Sequence, residues 1–248
     1  DAREGVKIIR IEPYADGVRV VLEKDGGEEV VDGSHLLVAT GRRPNVVGLN
    51  LEKAGIEYSE KGIPVDARLR TSNKKVFAIG DVAGGFLFTH VAGYHAGVVI
   101  KNALFHLPAK ADHSTVPWVT YTAPELAQVG LNEAGAKQAG KDFRVLRWPF
   151  HENDRAQAEG ATDGLVKAII TPKGQILGCG IVGAHAGELI QPWVLAMSEK
   201  LKIGAMATMI TPYPTFGEVS KRAASSFYTP PLFSDRTRKI VKFLSRFG

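Results

Sequence analysis

Val76-Phe77-Ala78-Ile79-Gly80 is almost devoid of polarity, and an acid, Asp81, follows at once. A short apolar run bounded by turn residues predicts a strand buried on both faces, as in a parallel sheet, which restricts the chain to an α/β arrangement around it. Gly80, with no side chain, lets backbone or ligand approach closely. Asp81 then stands just past the strand's carboxyl end, where open α/β sheets bind ligands, and its carboxylate can accept hydrogen bonds from sugar hydroxyls. A strand closed by a capping aspartate accounts for the same residues. The run alone leaves both readings open.

The stretches before it predict β-structure. Residues 6–11 and 18–23 are rich in β-formers, and Asp25-Gly26-Gly27 is a hairpin signal ahead of residues 29–31. His35-Leu36-Leu37-Val38-Ala39 reads as another buried strand, ending in Thr40-Gly41-Arg42-Arg43-Pro44-Asn45. A meander of this kind does not bury itself, so the expectation is a chain that starts inside a domain. A short helical patch is expected at residues 51–54. A longer helix is expected from about 89 to 105, with Val91, Tyr94 and Val98 on one side and Leu107-Pro108 at its end.

The polar connector at residues 109–115 marks a domain boundary. Beyond it, strands are expected at 116–121 and 143–150, with a short helix at 133–139 capped by Asn132. Residues 165–171 and 175–182 form a hairpin over Pro172-Lys173-Gly174. A helix follows, with Ile190, Val194, Met197 and Leu201 at spacings of four, three and four. This pattern predicts an antiparallel sheet with helices gathered on one side, an α+β layer.

Several motifs compete for attention. Gly178-Cys179-Gly180-Ile181-Val182-Gly183 matches the dinucleotide-binding glycine fingerprint, with Glu199 nineteen residues after Gly180. That fingerprint needs its first glycine at the end of a parallel strand. Here Gly178 falls inside the second strand of a hairpin, so we read the match as a decoy. His90 and His95, five apart on one helix, do not share a face, and no third ligand presents itself, so no metal site is expected. His151, Glu152 and Asp154 read as a solvated loop, and Cys179 as a buried, inert thiol. In Thr211-Pro212-Tyr213-Pro214-Thr215-Phe216-Gly217-Glu218 the two prolines fix an extended path and hold Tyr213 in a set direction, and Glu218 opens a helical pattern.

Charge narrows the function classes. The net charge is +5, but residues 234–248 hold Arg236, Arg238, Lys239, Lys242 and Arg246 against Asp235, which leaves the rest near neutral. A nucleic-acid binder would carry a basic face across its fold, so that class is set aside. No apolar run approaches the roughly 18 residues of a membrane span. The first residues lack the basic and apolar parts of a signal peptide, and the lone cysteine fits a reducing cytoplasm.

Five stretches, in order along the chain, resemble the pyridine nucleotide–disulfide oxidoreductases, the family of dihydrolipoamide dehydrogenase, glutathione reductase and mercuric reductase. They are Leu37-Val38-Ala39-Thr40-Gly41-Arg42-Arg43-Pro44-Asn45; residues 71–81; Tyr121-Thr122-Ala123-Pro124-Glu125 with Val129-Gly130; residues 176–183; and Tyr213-Pro214-Thr215 with Glu218. The resemblance implies the C-terminal half of such an enzyme, without the family's upstream Cys-x4-Cys redox pair. The implied fold class is an α/β remnant of FAD- and NAD(P)-binding Rossmann-like domains, followed by an α+β dimerisation domain with an antiparallel sheet. Residues 1–45 would be the NAD(P) remnant, 46–112 the end of the FAD domain, 113–225 the interface domain of a homodimer, and 226–248 a basic tail.

By position, the resemblance puts Asp81 on the FAD ribitol, with Gly80 allowing close approach. Leu87, Phe88, Thr89 and His90 would lie by the isoalloxazine at a helix N-terminus, whose positive end favours negative charge on a reduced flavin. Gly41 would lie by NAD(P)H. Tyr213 and Glu218 are the candidate catalytic residues. Lipoamide dehydrogenases and glutathione reductases have a His where Tyr213 stands, paired with the Glu five residues later. A tyrosine, with a pKa near 10, is a poor base at neutral pH but can donate a hydrogen bond. Mercuric reductases also use tyrosine in this region. The expected function is therefore FAD-dependent, NAD(P)H-linked reduction of a small-molecule disulfide, thiol or metal-thiolate acceptor. The rival is a non-catalytic dimerisation and binding module.

In the tail, Ile240, Phe243, Leu244 and Phe247 fall on one helical face, with cations on the others. Such a helix can lie on an anionic membrane or pack on a partner subunit.

Overall fold

The computed structural model describes residues 1–247 and divides the chain into two compact units, residues 1–66 with 70–93 and residues 67–69 with 94–248. The first unit opens with β1 (Lys7–Tyr14), β2 (Gly17–Lys24) and β3 (Gly27–Gly33), an antiparallel meander in the order β1-β2-β3. Asp25 and Gly26 both have positive φ, the mirror-image turn that the sequence signals there. Alternation is weak in this sheet. Val21 and Leu22 of β2 are buried, while Ile8, Ile9, Ile11 and Val30 are exposed.

Two expectations fail in the remainder of the first unit. Residues 35–39 form no strand, and Leu37 and Val38 are 88% and 70% exposed. Residues 76–80 form no strand either; Phe77 makes a single bridge to Arg70, and a 3-10 turn takes over at Gly80–Ala83. A strand exists only as a member of a ladder, and neither segment has such a neighbour among the described residues. The small core is instead built by Val46, Leu51, Ile56, Ile63 and Ala78, and the patch at Leu51–Ala54 is a 3-10 turn.

Helix α1 (Thr89–Ala103) ends two residues before the expected position. Its buried stripe is Val91, His95 and Val98, at 2%, 3% and 5% exposure; Tyr94, assigned to that stripe by apolarity, is largely exposed. The 91-95-98 spacing is helical, and an imidazole, its pKa lowered by burial, occupies a place where apolarity alone predicts no histidine.

The second unit continues through β4 (Trp118–Thr120), β5 (Glu125–Gly130), α2 (Glu133–Gln138), β6 (Arg144–Pro149), α3 (Asp154–Glu159), β7 (Leu165–Ile170) and β8 (Ile176–Gly183). It then runs through α4 (Ala186–Leu189), α5 (Gln191–Ser198), α6 (Ile203–Thr208), α7 (Glu218–Ser225), α8 (Thr229–Leu232) and α9 (Asp235–Leu244). The five strands form one antiparallel sheet, β4-β5-β8-β7-β6, as the alternation predicts. Register puts Val129, Cys179, Ala168 and Leu146 in one row across it, and Ala127, Ile181 and Val166 in the next. These rows belong to a single core with Ile190, Trp193, Phe216 and Val219.

Two local readings change. The helix expected through Leu201 is two helices, α4 and α5, and its buried side is Ile190, Trp193 and Ala196, with Leu201 exposed. The loop expected at His151, Glu152 and Asp154 is a 3-10 turn running into α3, capped by Asn153, whose side chain accepts from Ala156 N at 2.9 Å. Asn153 capping leaves Phe150 fully buried beside it. The glycine fingerprint lies within β8, as argued, and each glycine there serves packing. A Cβ would sit 2.1 Å from the Leu131 carbonyl oxygen at Gly178, 2.7 Å from the Gln128 amide at Gly180, and 2.4 Å from the Phe150 ring at Gly183. Cys179 is fully buried, and burial pushes its thiol pKa well up, the inert state expected of it.

Candidate functional site

The residues singled out fall into two groups, one in each unit. In the first, Thr71 N donates to Val76 O and Val76 N to Asn73 O, closing the turn that delivers residues 76–80. Gly80 has φ of +65°, and a Cβ there would meet the Cβ of Ala92 at 2.9 Å. It therefore lets α1 come close to the turn that follows. Asp81 is the second residue of that turn, with Arg42 Nε 3.2 Å from its Oδ2, and both side chains reach solvent. An exposed pair of this kind contributes little stability, so the carboxylate is available to other donors.

Beside it, Leu87 and Phe88 are half-buried, and Thr89 and His90 are exposed at the first turn of α1. Phe88 stacks on Phe86 at 6.2 Å and on His90 at 5.1 Å, with an angle of 11° in the second pair. An aromatic row thus lies at the N-terminus of a fifteen-residue helix, where the helix dipole favours negative charge. Gly41 has φ of +120° in an exposed segment next to Arg42. A hydroxyl-accepting carboxylate, flat aromatic surface and a positive helix end fit one flank of a polyhydroxylated, aromatic, anionic group such as FAD.

In the second group, Asn153 is buried and its Nδ2 donates to Thr215 O at 3.1 Å, while Thr215 Oγ1 donates to Pro212 O at 2.7 Å. Phe216 packs against Phe150 at 6.1 Å and His185 at 5.4 Å. Between these fixed points Tyr213 stands out, 69% exposed, and its hydroxyl donates to Asp154 Oδ2 at 3.0 Å. That hydrogen bond raises the Tyr213 pKa, with Asp154's charge, burial and then Glu218's charge acting in the same direction. Glu218 opens α7, where an acid complements the helix dipole. Tyr213 is consequently a hydrogen-bond donor, held protonated across neutral pH, and Glu218 acts on it through charge.

Asp154 was read from the sequence as part of a solvated loop, and its pairing with Tyr213 was missed. It lies 59 residues from Tyr213, and Asn153-Asp154 carries only the signal of a helix start. Arg42 and Phe86 were missed in the same way, each an ordinary loop residue until the fold sets it beside Asp81 or Phe88.

Comparison with known proteins places both groups within matched regions. Residues 2–96 match the family described as pyridine nucleotide-disulphide oxidoreductase, and residues 116–224 match its dimerisation domain. A dihydrolipoyl dehydrogenase of Bacillus subtilis is 37% identical over 224 residues, covering 90% of this chain and 47% of the relative. A mercuric reductase of Staphylococcus aureus is 37% identical over 225 residues, covering 90% and 41%. Among solved structures, the HOCl-induced flavoprotein disulfide reductase RclA of Escherichia coli superposes with a TM-score of 0.78 at 27% identity, covering 88% of this chain and 50% of that one. The chain spans about half the length of the curated relatives it matches. These matches bear out the expected class, a Rossmann-like opening followed by an α+β dimerisation domain with an antiparallel sheet.

Proposed function

Since the chain belongs to the pyridine nucleotide–disulphide oxidoreductase family, whose members use FAD and NAD(P)H, we propose that it forms part of a homodimeric enzyme reducing a disulfide, thiol or metal-thiolate acceptor. FAD, when bound, supplies the electron transfer between nicotinamide and a redox-active disulfide. In this reading Gly80 and Asp81 hold its sugar-alcohol chain, and Leu87, Phe88, Thr89 and His90 flank its ring at the N-terminus of α1. Gly41 leaves room for the nicotinamide dinucleotide. A reducing, cytoplasmic setting is part of the same reading and rests on the lone, fully buried Cys179.

One observation carries the finer reading: the Tyr213 hydroxyl donates to Asp154 Oδ2 at 3.0 Å while the ring remains exposed. Tyr213 occupies the position of the histidine base of lipoamide dehydrogenases but is a donor at neutral pH. Turned from Asp154, its one O–H can be donated to a thiolate or metal-bound sulfur, and it does not suit an acceptor that needs a thiol deprotonated by a base near pKa 6.5. The Asp154 hydrogen bond keeps the phenol neutral, and Glu218, without an imidazole to orient, adds a smaller negative charge in the same direction.

The test has two arms on the full-length protein. Flavin absorbance is measured first; a colourless, flavin-free preparation defeats the enzyme reading in favour of a binding module. Tyr213→Phe is then compared with wild type under NADPH. The expected result is unchanged flavin reduction and turnover lowered about tenfold or more with the true acceptor, the scale of one lost transition-state donor. Equal turnover across disulfide, thiol and metal-thiolate acceptors removes Tyr213 from the site.

A further inference from the structure

The carboxyl-terminal helix stands apart from the core of its unit. Residues 116–224 carry the match to the dimerisation domain, whereas α9 begins at Asp235. It is a well-defined helix start: Ser234 Oγ accepts from Thr237 N at 3.3 Å and donates to Pro231 O at 2.8 Å. Yet Ile240, Val241, Phe243 and Leu244, with Phe247 just after it, are each about half exposed or more.

At 3.6 residues per turn these apolar side chains occupy one continuous arc, to which the Phe243–Phe247 ring pair at 5.3 Å gives a broad aromatic surface. Arg238, Lys239, Lys242 and Arg246 fill the opposite arc, and Arg236 lies at the apolar side in the first turn, where its stem can run along the surface with the guanidinium outside. The one acid, Asp235, pairs with Arg238 at 3.7 Å. Leu232 and Phe233, immediately before the helix, are also exposed and extend the apolar surface.

From this arrangement we infer that α9 docks on an anionic lipid surface, lying in the plane of the headgroups. Charge complementarity selects the occupant. Five cations on fifteen residues, almost all opposite a greasy arc that offers no hydrogen-bonding group, match a diffuse sheet of negative headgroups over an apolar interior. A protein groove would ordinarily present discrete acceptors and a less charged rim. The ten-residue helix spans about 15 Å, half the roughly 30 Å of a bilayer core, so it lies on the membrane and does not cross it. No helix among the described residues is long and apolar enough to span one.

The inference is independent of the electron-transfer reading and is tested on the flavin-bound, full-length protein. Flotation is measured with vesicles of phosphatidylcholine alone and with one-quarter phosphatidylglycerol. The expected result is flotation with the anionic vesicles, at least tenfold weaker with neutral ones, and suppressed by 0.5 M salt. Lys239→Gln with Lys242→Gln lowers the partition coefficient about thirtyfold, at roughly fivefold per cation. Phe243→Ser with Phe247→Ser lowers it at least tenfold, with flavin absorbance and dimer mass by sedimentation unchanged. Failure of the wild type to float with anionic vesicles overturns the inference, as does equal flotation of the Phe243→Ser/Phe247→Ser variant. If the helix instead seats on the partner protomer, that variant sediments as a monomer and the wild type does not float, which also overturns it.

Discussion

The two sheets of this chain are both antiparallel, but only one of them has a face covered by helices. In the second unit, residues of four strands meet in rows and are covered by α4, α5 and α7, so that Cys179, Val129 and Ala168 are all inaccessible. In the meander of the first unit only Val21 and Leu22 are buried. Ladder hydrogen bonds and exposed cross-strand ion pairs such as Arg19–Asp32 and Arg10–Glu28 hold the rest, and a sheet needs a covered face for substantial stability. Both sheets carry apolar residues, and only the second has helices packed on it to cover them.

The sharpest test of that contrast is a pair of substitutions. Trp193 is fully buried and its Nε1 donates to Ser220 Oγ at 3.0 Å, joining α5 to α7. Trp193→Ala removes the largest core side chain and leaves the buried hydroxyl without its partner, and should cost about 4 kcal/mol in urea unfolding. Leu37→Ala, at an equally apolar but 88% exposed position, should change stability by no more than about 0.5 kcal/mol. Comparable costs at both positions would break the comparison.

Gly178→Ala probes the packed sheet from the backbone side. A Cβ there would lie 2.1 Å and 2.5 Å from the backbone oxygen and nitrogen of Leu131, which cannot move without disturbing the Leu131 N to Leu177 O hydrogen bond. The expected loss is about 1–3 kcal/mol, the scale of overpacking. NADPH affinity of the full-length protein should be unchanged, because these glycines lie within an antiparallel strand and are taken up by packing. A selective loss of nucleotide binding with stability intact would reverse that assignment.

The same comparison explains what the sequence could reveal. Strands β7 and β8, the Pro172-Lys173-Gly174 turn, the Asn132 cap and the start of α7 at Glu218 depend on neighbours within a few residues, and each was legible. The apolar runs at 35–39 and 76–80 were misread, because an apolar run states that a segment seeks burial without stating whether a ladder partner is present. The Tyr213–Asp154 pair was illegible for a related reason. Its members are joined by Asn153 and Thr215, a contact spanning 62 residues that no local pattern encodes. Tyr213 itself was legible through its position between two prolines in an ordered set of motifs.

Between these extremes lies the histidine pair of the second unit. His95 is buried, and its Nε2 lies 2.7 Å from Nε2 of His113, with the Tyr94 ring 6.1 Å and 6.4 Å from the two imidazoles. Burial, and then the charge of His113, lowers the His95 pKa. Asp112 beside them is held below the usual carboxylate range by the backbone and side chain of Ser114. As pH falls below about 6.5, the unfolded chain takes up a proton at residue 95 that the folded chain resists. Stability should therefore fall on acidification through that window and be fully present above it. Chemical unfolding at pH 5 to 8 should show a shallower slope in His95→Gln than in wild type; identical slopes would assign the acid sensitivity elsewhere.

The smallest effect on stability, and the most direct on chemistry, is expected at Asp154. Both it and Tyr213 are exposed, so Asp154→Asn should leave the urea midpoint nearly unchanged, in contrast with Trp193→Ala. It removes the carboxylate whose hydrogen bond and charge keep the Tyr213 pKa raised. The phenol pKa should fall back toward about 10, the ordinary tyrosine value, read from phenolate absorbance as the difference between Asp154→Asn and the same variant carrying Tyr213→Phe. The tyrosine stays protonated at neutral pH in either case, so flavin reduction by NADPH should be unaffected. Acceptor turnover should change only through the lost orientation of the hydroxyl, and hence less than in Tyr213→Phe. A phenol pKa unmoved by Asp154→Asn would mean that Glu218, and not Asp154, governs the proton at this position.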